Sequence, residues 1–502
     1  MNKKKIFFFQ QRNWGIKIGH HIAKRFYDNG CEIGAVTLKK EYYNFYTSQQ
    51  DFKYKWLKSH EDLVENPKKY LGDDNFELSF ICEELEIESI WIFVQSLRGH
   101  VKSYSDKYGY GYKQNVSDEE IIFYIKAIYK LLLSIKKEFD PDIIFMPNFV
   151  SLTQIMAYYF AKKHKIKIAS ITNTFATDRF VFANDIYEST GKFFDIINFY
   201  KKNHGKIAYE LESIKILEDT RNNFKDNKIK NIYKNNYSND FFIFLKDLIK
   251  YFIRLEFIKF KKTHLFKVQT QDYAKKSLKL IFRDYFSNLI NKYKCEKLDY
   301  YKLDDIKNFV FMALQNQPED NIDVASANYN NQIETARRIA MNLPKDLTLL
   351  VKEHPAMHGE RSYKYMQKIL KTPNVKLIHH SYNSIEILKR CSYLISTTGT
   401  IFYEAAVLKK KSIVLGNLGF CEILPNVKKM INFDEIPKLI REFESEDKSF
   451  LENYDRRMLE IISASLEAGF NNNYSKLWST SYNNEKDLDK IYQKFNDELN
   501  NN

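Results

Sequence analysis

Three short polar segments in the second half of the chain carry side chains that could bind phosphate, hold a sugar or transfer a proton. They are residues 317–320 (QPED), 352–355 (KEHP) and 396–400 (STTGT). Each segment follows an apolar run that has the length and composition of a buried strand. Because ligands of open α/β sheets bind beyond the carboxyl ends of the strands, we expect a ligand site at these segments.

The second segment combines a histidine with charged neighbours. An imidazole can donate a hydrogen bond to phosphate, or transfer a proton near neutral pH. A lone histidine is more often structural, but Lys352, His354 and Arg361 offer three phosphate partners within ten residues. We therefore predict substrate binding by Lys352, Glu353 and Arg361, and a catalytic role for His354.

The third segment lies between a predicted strand and a predicted helix. Amides at a helix start, together with hydroxyl groups, can hold a phosphate. A plain threonine N-cap is the alternative, but the position ~40 residues after a His-Pro strand end favours an anion site. Glu404 could reach a ribose hydroxyl or cap the backbone. The residues predicted to bind substrate here are Ser396, Thr397, Thr398, Gly399, Thr400 and Glu404.

The first segment places amide and carboxyl groups at a strand end. Gln317 could hydrogen-bond a sugar, and Glu319 or Asp320 could act as acid, base or nucleophile. An ordinary polar turn containing Pro318 is an equally good interpretation.

Strand and helix signals alternate in both halves of the chain, which predicts an α/β protein. In the first half the predicted strands are 5–10, 32–38, 90–94, 142–146 and 165–171, with helices at 13–29, 119–139 and 151–164. In the second half the predicted strands are 308–314, 347–352, 375–378, 393–395 and 412–415, with helices at 331–342, 363–370, 384–390 and 400–408.

Between these halves the chain is helical, charged and aromatic, without strand alternation. We predict an N-terminal Rossmann-like acceptor domain (1–193), a helical middle segment (194–305), a C-terminal Rossmann-like nucleotide-sugar domain (306–446) and C-terminal helices (447–502). Two Rossmann-like domains with a ligand cleft between them make a GT-B-like fold. The acceptor would lie near 10–19, 148 and 173–179 in the first domain, although no specific motif marks these positions.

Composition narrows the class of protein. The chain of 502 residues is 44% hydrophobic and 28% charged, which is typical of globular proteins. Its net charge of +14 suggests nucleic-acid binding, solvated lysine-rich faces or attraction to anionic membranes and sugars. No basic run contains a nucleic-acid motif, so no nucleic-acid partner is predicted. The aromatic and basic stretch 251–268 (YFIRLEFIKFKKTHLFKV) is the candidate for membrane-surface contact.

The sequence lacks metal-binding motifs and membrane-spanning segments, and this guides the predictions on cofactors and location. The five cysteines form no C-x-x-C pair and no D-x-D motif lies beside a strand in a GT-A setting, so we predict no metal and no cofactor. No apolar run reaches the ~18 residues of a membrane span, and the apolar run near residue 1 is too short for a signal peptide. We predict a cytoplasmic protein that contacts the inner face of the membrane peripherally.

The region 315–416 resembles the capsule polysaccharide biosynthesis family, which includes Kdo transferases and is similar in layout to bacterial sialyltransferases. The matching segments are 317–319, 351–355, 373–375, 398–400, 404–406 and 412–416, whereas KKK at 409–411 replaces the usual Gly-Lys-Pro turn. The resemblance implies a nucleotide-sugar donor in the second domain, whose phosphate contacts His354, Thr398, Gly399 and Thr400. It also implies catalytic work by Glu319 or Asp320.

The leading functional hypothesis is therefore a metal-independent glycosyltransferase. It would move a sugar from a nucleotide donor, CMP-linked donors included, to a glycan or lipid-linked glycan acceptor of capsule or lipopolysaccharide. The alternatives are a polyol-phosphate transferase of the teichoic-acid type, a non-catalytic nucleotide- or sugar-binding subunit, and a basic nucleic-acid binder.

Overall fold

The computed structural model contains two β-sheets surrounded by helices. It describes residues 3–101, 115–203, 205–225, 237–255, 278–446, 453–471, 473–479 and 484–501. One sheet is built mainly from the first 183 residues, and the other from residues 309–429.

The first sheet has seven strands in the order β13-β6-β5-β4-β1-β2-β3. The five strands from β5 to β3 in this order run parallel, whereas β6 is antiparallel to both β5 and β13. The strands are β1 (Lys5–Gln10), β2 (Glu32–Thr37), β3 (Trp56–Ser59), β4 (Ile143–Met146), β5 (Lys167–Asn173), β6 (Arg179–Ala183) and β13 (Phe470–Asn471).

The second sheet has six parallel strands in the order β12-β11-β10-β7-β8-β9. They are β7 (Phe309–Ala313), β8 (Thr348–Lys352), β9 (Val375–Ile378), β10 (Tyr393–Ser396), β11 (Ser412–Val414) and β12 (Val427–Lys429).

Helices connect the strands and cover the sheets. In the first half they are Arg12–Trp14, a π-helical turn at Gly15–Gly19, His20–Asp28, Lys40–Ser48, His60–Glu65, Pro67–Leu71, Leu78–Glu84, Trp91–Val94, Arg98–Val101, Asp118–Glu138 and Leu152–Lys163. The middle segment contributes Lys192–Asn203, Glu210–Lys225, Tyr237–Leu255 and Leu278–Cys295. In the second half they are Asp320–Asp323, Gln332–Met341, Tyr363–Leu370, Ser384–Arg390, Ile401–Val407, Gly419–Glu422, Ile436–Ser445, Tyr454–Ala468, Asn473–Trp478 and Glu485–Asn500.

Each sheet is buried on both faces, which explains why its central strands are continuously apolar. In β1, Phe7 and Phe9 pack into one hydrophobic core, and Phe8 packs into a second core on the opposite face. In β7, Phe311 and Met312 likewise enter two different cores. Side chains alternate between the faces of a strand, so a sheet covered by helices needs apolar residues at every position. The two predicted Rossmann-like domains and the GT-B-like class are confirmed by these sheets.

One hydrophobic core is shared by the two halves. Val181 of β6 belongs to the same buried cluster as Phe402 and Tyr403 of the second half. The Tyr403 hydroxyl donates to the Ala176 carbonyl at 3.2 Å, and the Gly419 amide donates to the Tyr187 carbonyl at 2.7 Å. The two sheets are therefore joined by buried apolar packing and not only by the connecting chain.

The C-terminal part of the chain returns to the first sheet. Strand β13 pairs with β6, and the helix Glu485–Asn500 packs against His20–Asp28. Arg25 forms ion pairs with Glu485 at 2.7 Å and with Asp489 at 2.8 Å across this contact. The boundaries of the four predicted domains themselves stay predictions.

The predicted strand at 90–94 is wrong. The chain forms the helix Trp91–Val94 there, with Ile90 and Val94 buried and Trp91 and Ile92 exposed. A run of five apolar residues fits a strand or a helical turn equally well, and burial four residues apart selects the helix. The sequence also did not reveal β3 and β6, which lie at or near the margins of the first sheet.

Most of the membrane-surface candidate 251–268 lies outside the described residues. In the parts of the chain that the structure describes, no helix combines the length and the apolar character needed to cross a bilayer.

Candidate functional site

The three polar segments extend from neighbouring strands of the second sheet. Strands β10, β7 and β8 are adjacent in that order, and they run parallel. Residues 317–320, 352–355 and 396–400 therefore meet at the carboxyl edge of one sheet, as the strand-end rule requires.

Gln315 connects the segments physically. Its buried side-chain amide donates to Ser396 Oγ at 3.2 Å and to the Thr398 carbonyl at 2.9 Å. Its carbonyl oxygen accepts a hydrogen bond from the Arg361 guanidinium. Its backbone amide donates to Gln332 Oε1 at 2.7 Å. One glutamine thus fixes the relative positions of the chain after β7, β8 and β10.

Arg361 and Glu353 form a buried ion pair inside the site. Their side chains are both 5% exposed, and Arg361 Nη1 lies 2.5 Å from Glu353 Oε1. The same carboxylate oxygen accepts the His354 amide at 2.7 Å. Burial raises the pKa of Glu353, and the neighbouring guanidinium opposes this rise. Because its donors already serve Glu353 and Gln315, Arg361 supports the loop more readily than it could contact a phosphate directly.

Lys352 supplies a positive charge at the end of β8. It is 5% exposed, and its ammonium group donates to Ser384 Oγ at 2.8 Å. Burial lowers the pKa of Lys352 to about 8, although the charge of Glu404 opposes the change. Burial raises the pKa of Glu404, and Lys352 in turn lowers it. The lysine is cationic below pH 8, so it can attract an anionic ligand at neutral pH.

The ring of His354 is held in a defined tautomer. His354 Nδ1 accepts a hydrogen bond from the Ala356 amide at 3.2 Å. Burial lowers the pKa of His354, and the charges of Arg361 and Lys352 lower it further, so the ring is neutral at pH 7. A nitrogen that accepts a backbone amide carries no proton, which places the proton of the neutral ring on Nε2. His354 therefore presents a hydrogen-bond donor at Nε2.

The hydroxyl-rich segment divides into a buried part and an accessible part. Ser396, Thr397 and Thr398 are at most 1% exposed, and Thr398 Oγ1 donates to the Asn321 carbonyl at 3.1 Å. Gly399 has φ +110°, a conformation that L side chains rarely adopt, and Thr400 is exposed at the start of the helix Ile401–Val407. Of this segment, only Gly399 and Thr400 are reachable by a ligand, and the other three build the loop.

Gln317 and Glu319 are organised by Asp323. The Gln317 amide donates to Asp323 Oδ1 at 3.1 Å, and the Glu319 backbone amide donates to Asp323 Oδ2 at 3.2 Å. Glu319 is partly exposed, and Asp320 begins the short helix Asp320–Asp323. Glu319 therefore lies on a turn beyond the end of β7, and the buried Asp323 shapes that turn.

A cavity of about 210 Å³ lies between the two halves beside this edge. Its walls come from both halves, because Phe93 and Tyr187 line one side and Tyr329, Asn417 and Lys429 line the other. Pockets with apolar walls and a few polar groups are common at domain junctions. The cavity adjoins the segment 396–400 through Gly416, where an added Cβ would lie 2.6 Å from Thr398 Cγ2 and 2.8 Å from the Thr397 carbonyl.

The sequence does not predict a role for Gln315, Asp323 or Gln332, whose hydrogen bonds hold the site together. Gln315 directly follows Leu314 at the end of an apolar run, and this position was its only signal. Asp323 and Gln332 lie on helices with no motif around them. In the first half, Gln11 Nε2 donates to Asn148 Oδ1 at 3.1 Å, so two of the positions suggested for the acceptor are adjacent.

Comparison with known proteins finds one matching family model and several solved structures of similar fold. Residues 212–421 match the model of a family described as capsule polysaccharide biosynthesis protein, which is 210 of the 502 residues. This range contains every predicted site residue. The search of curated proteins gives no match.

Three solved structures illustrate the structural similarity. A glycosyltransferase from Rickettsia africae is 10% identical with a TM-score of 0.27, and the match covers 100% of both chains. A UDP-GlcNAc 2-epimerase from Neisseria meningitidis is 13% identical with a TM-score of 0.26, covering 98% of this chain and 100% of that one. The beta Kdo 2,7 transferase KpsC from Thermosulfurimonas dismutans is 11% identical with a TM-score of 0.27, covering 63% and 75%. TM-scores this low carry no inference about activity.

The predicted resemblance is confirmed over the region that holds the site. Residues 212–421, which hold the site, are similar to the capsule polysaccharide biosynthesis protein family.

Proposed function

We propose that this protein is a glycosyltransferase that moves a sugar from a nucleotide-activated donor to a growing capsule or lipopolysaccharide glycan. The observation that carries the proposal is the Gln315 network, which gathers three strand-end segments into one polar site within the family-matched region. Such a site suits a reaction whose main demand is the stabilisation of a departing phosphate.

The donor phosphate would lie between His354 and the accessible end of the 396–400 loop. His354 offers Nε2–H, and Thr400 offers a hydroxyl that makes no capping bond to its own helix. Lys352 adds positive charge close by. Hydrogen bonds from preorganised donors to a charged oxygen are stronger than those between neutral groups, so these groups can stabilise the leaving nucleotide without a metal ion.

The carboxylates would act on the acceptor side. Glu319 lies beyond the end of β7, on the turn that Asp323 fixes, and Asp320 follows it. A carboxylate there could take the proton of the attacking acceptor hydroxyl. The neighbouring cavity between the halves, lined by Tyr187 and Tyr329, would provide room for a sugar.

Nucleotide binding tests this proposal. We expect one of CMP, CDP, UDP or GDP to raise the melting temperature of the full chain, because a ligand that binds only the folded state stabilises it. Thr400→Ala should weaken that nucleotide roughly tenfold, the value of one charge-assisted hydrogen bond, without changing the melting temperature of the ligand-free protein. Calorimetry measures the affinity, and Thr372→Ala, in the same half but away from the site, is the matched control.

Thr398→Ala gives a different result under this proposal. Its hydroxyl is buried and bonded to the Asn321 carbonyl, so its loss should lower the free energy of unfolding by about 1–3 kcal/mol. It should weaken nucleotide binding only by disturbing the loop.

Equal nucleotide affinity in wild type and Thr400→Ala would contradict a contact between Thr400 and the phosphate. Transfer from CDP-glycerol but not from a nucleotide sugar would favour the polyol-phosphate alternative. Nucleotide binding without turnover would favour a non-catalytic subunit.

We also propose that the acceptor is lipid-linked and is met at a membrane surface. Helices Tyr237–Leu255 and Leu278–Cys295 pack together through Phe244 and Tyr285, whose rings stack at 4.3 Å. Outside this contact they expose large apolar side chains, namely Phe241, Phe242, Ile243, Leu245, Ile249, Phe252, Phe282, Phe286 and Ile290. Exposed apolar side chains of this number on two packed helices of a basic protein fit an anionic bilayer.

Co-sedimentation with anionic phospholipid vesicles tests the membrane contact. We expect the full chain to sediment with the vesicles, and Phe242→Glu to reduce the bound fraction strongly, because a charge would have to enter the interface. Phe242 is 65% exposed, and Phe199→Glu, at a residue 61% exposed on another helix, is the matched control. Equal loss in both variants, or no binding by wild type, would contradict a membrane role for this surface.

A further inference from the structure

Three side chains with metal-binding atoms converge beside β8 and β9, outside the proposed phosphate site. Glu296 follows the helix Leu278–Cys295, His358 follows the turn after His354, and His380 follows β9. His358 Nε2 lies 3.2 Å from Glu296 Oε1, and His380 Nε2 lies 3.5 Å from the same oxygen. One ligand atom from each residue falls within 4.8 Å of the others.

Both imidazoles are buried, and each has a nitrogen without a hydrogen bond. His358 is 6% exposed and His380 is 4% exposed. Among the described residues, His358 Nε2 and His380 Nδ1 have no hydrogen-bond partner. A buried polar atom that forms no hydrogen bond costs about 1–3 kcal/mol, so an ion bound to His358 Nε2 would recover that cost at this nitrogen.

The distances around Glu296 fit a tetrahedral ion. Zn²⁺ binds histidine nitrogen and carboxylate oxygen at about 2.0–2.2 Å, so neighbouring ligand atoms at the tetrahedral angle lie roughly 3.3–3.5 Å apart. The observed oxygen–nitrogen separations of 3.2 and 3.5 Å are close to this edge length. Two imidazoles with one carboxylate are also a ligand set that borderline transition metals favour over Mg²⁺ or Ca²⁺.

We propose that Glu296, His358 and His380 bind a divalent transition-metal ion of the Zn²⁺ type. His379 positions the carboxylate, because its Nε2 lies 3.0 Å from Glu296 Oε2. The fourth position is left for water. The rings of His358 and His380 are stacked with centroids 3.9 Å apart, so binding would turn each ring about its Cβ–Cγ bond until a lone pair faces the ion.

The ion would fasten the middle segment to the loop that carries His354. Glu296 directly follows the helix Leu278–Cys295, whereas His358 belongs to the loop between Pro355 and Arg361. The same contact already contains the hydrogen bonds of Asn288 to Glu360 Oε1 at 2.9 Å and of Asn291 to the Gly359 carbonyl at 3.3 Å. The proposed role is structural, and it leaves the prediction of metal-independent transfer untouched.

Titration of the chelator-treated full chain with Co²⁺, a spectroscopic substitute for Zn²⁺, tests the site. We expect visible d–d absorption of a tetrahedral ion that saturates at one Co²⁺ per chain and is displaced by Zn²⁺. His358→Ala, His380→Ala and Glu296→Gln should each weaken binding by at least ~10-fold, because even the outer-shell partners of a metal site contribute that much. His164→Ala, distant in the first half, should leave the titration unchanged.

The readout is independent of sugar transfer, so it separates this proposal from the proposed function. Circular dichroism of each metal-free variant checks that it is folded. Wild-type protein that binds no Co²⁺ or Zn²⁺ stoichiometrically would overturn the proposal even if a variant failed to fold. Binding that persists in His358→Ala but is lost in His379→Ala would also overturn it, because the ion would then use the adjacent His379–His380 pair alone.

Discussion

Replacing His354 with alanine is expected to abolish sugar transfer while the chain remains folded. The proposed contact is Nε2–H to the donor phosphate, and the Ala356 amide fixes the tautomer that makes this donor available. Loss of one preorganised donor to a developing negative charge typically costs 10²–10³ in turnover. Because His354 is only partly buried and caps a short turn, its removal should change the free energy of unfolding by about 1 kcal/mol or less.

The measurement is nucleotide release from the donor found in the binding screen, compared with chemical denaturation of the same samples. His164→Ala serves as the control, since this histidine lies on the first half at the end of the helix Leu152–Lys163. Wild-type turnover by His354→Ala would refute the assignment of the site. If His354→Ala lost both turnover and the folded state, His354 would be needed for folding. That outcome would contradict the prediction that His354 only binds the phosphate.

The second large effect concerns stability and not turnover. Replacing Arg361 with methionine should lower the free energy of unfolding by about 3–5 kcal/mol, the usual result of removing one partner of a buried ion pair. Glu353 is 5% exposed, and Arg361 is its ion-pair partner. The substitution also removes the donor of the Gln315 carbonyl, so the connection between β7 and the loop after β8 is lost.

Two comparisons make this prediction specific. The double variant Arg361→Met with Glu353→Gln should recover part of the loss, because no uncompensated charge would then be buried. The exposed pair Arg337–Glu334, with side chains 46% and 45% exposed, provides a matched control, and Arg337→Met should leave the free energy of unfolding almost unchanged. Urea denaturation measures the free energy of unfolding of the wild type, of Arg361→Met, of the double variant and of Arg337→Met. An Arg361→Met variant as stable as Arg337→Met would show that the buried pair does not hold the loop.

Some of the fold could be read directly from local patterns. The apolar runs that became β1, β4, β7, β8 and β10 were predicted because a strand buried on both faces needs consecutive apolar residues. The elements outside these central strands were harder to predict. Trp91–Val94 was too short to separate strand from helix, and β3 and β6 have mixed burial, with intermediate positions that weaken the signal.

The same division applies to the site. The sequence by itself determined that 317–320, 352–355 and 396–400 follow strands, and that their side chains suit phosphate and sugar chemistry. Only the tertiary structure decided that Arg361 supports Glu353, that Thr398 is a buried loop residue while Thr400 is accessible, and that Gln315 joins all three segments.

The cluster of Glu296, His358 and His380 could not be predicted from the sequence, because its members are up to 84 residues apart and share no motif. Periodicity reports whether a neighbourhood of the chain is buried, since that depends on residues a few positions apart. Which strand ends meet depends on the order β10-β7-β8-β9, which arises from packing between distant parts of the chain. The residue types at this sheet edge are therefore given by the sequence, but their division into accessible side chains and buried supporting ones depends on the strand order.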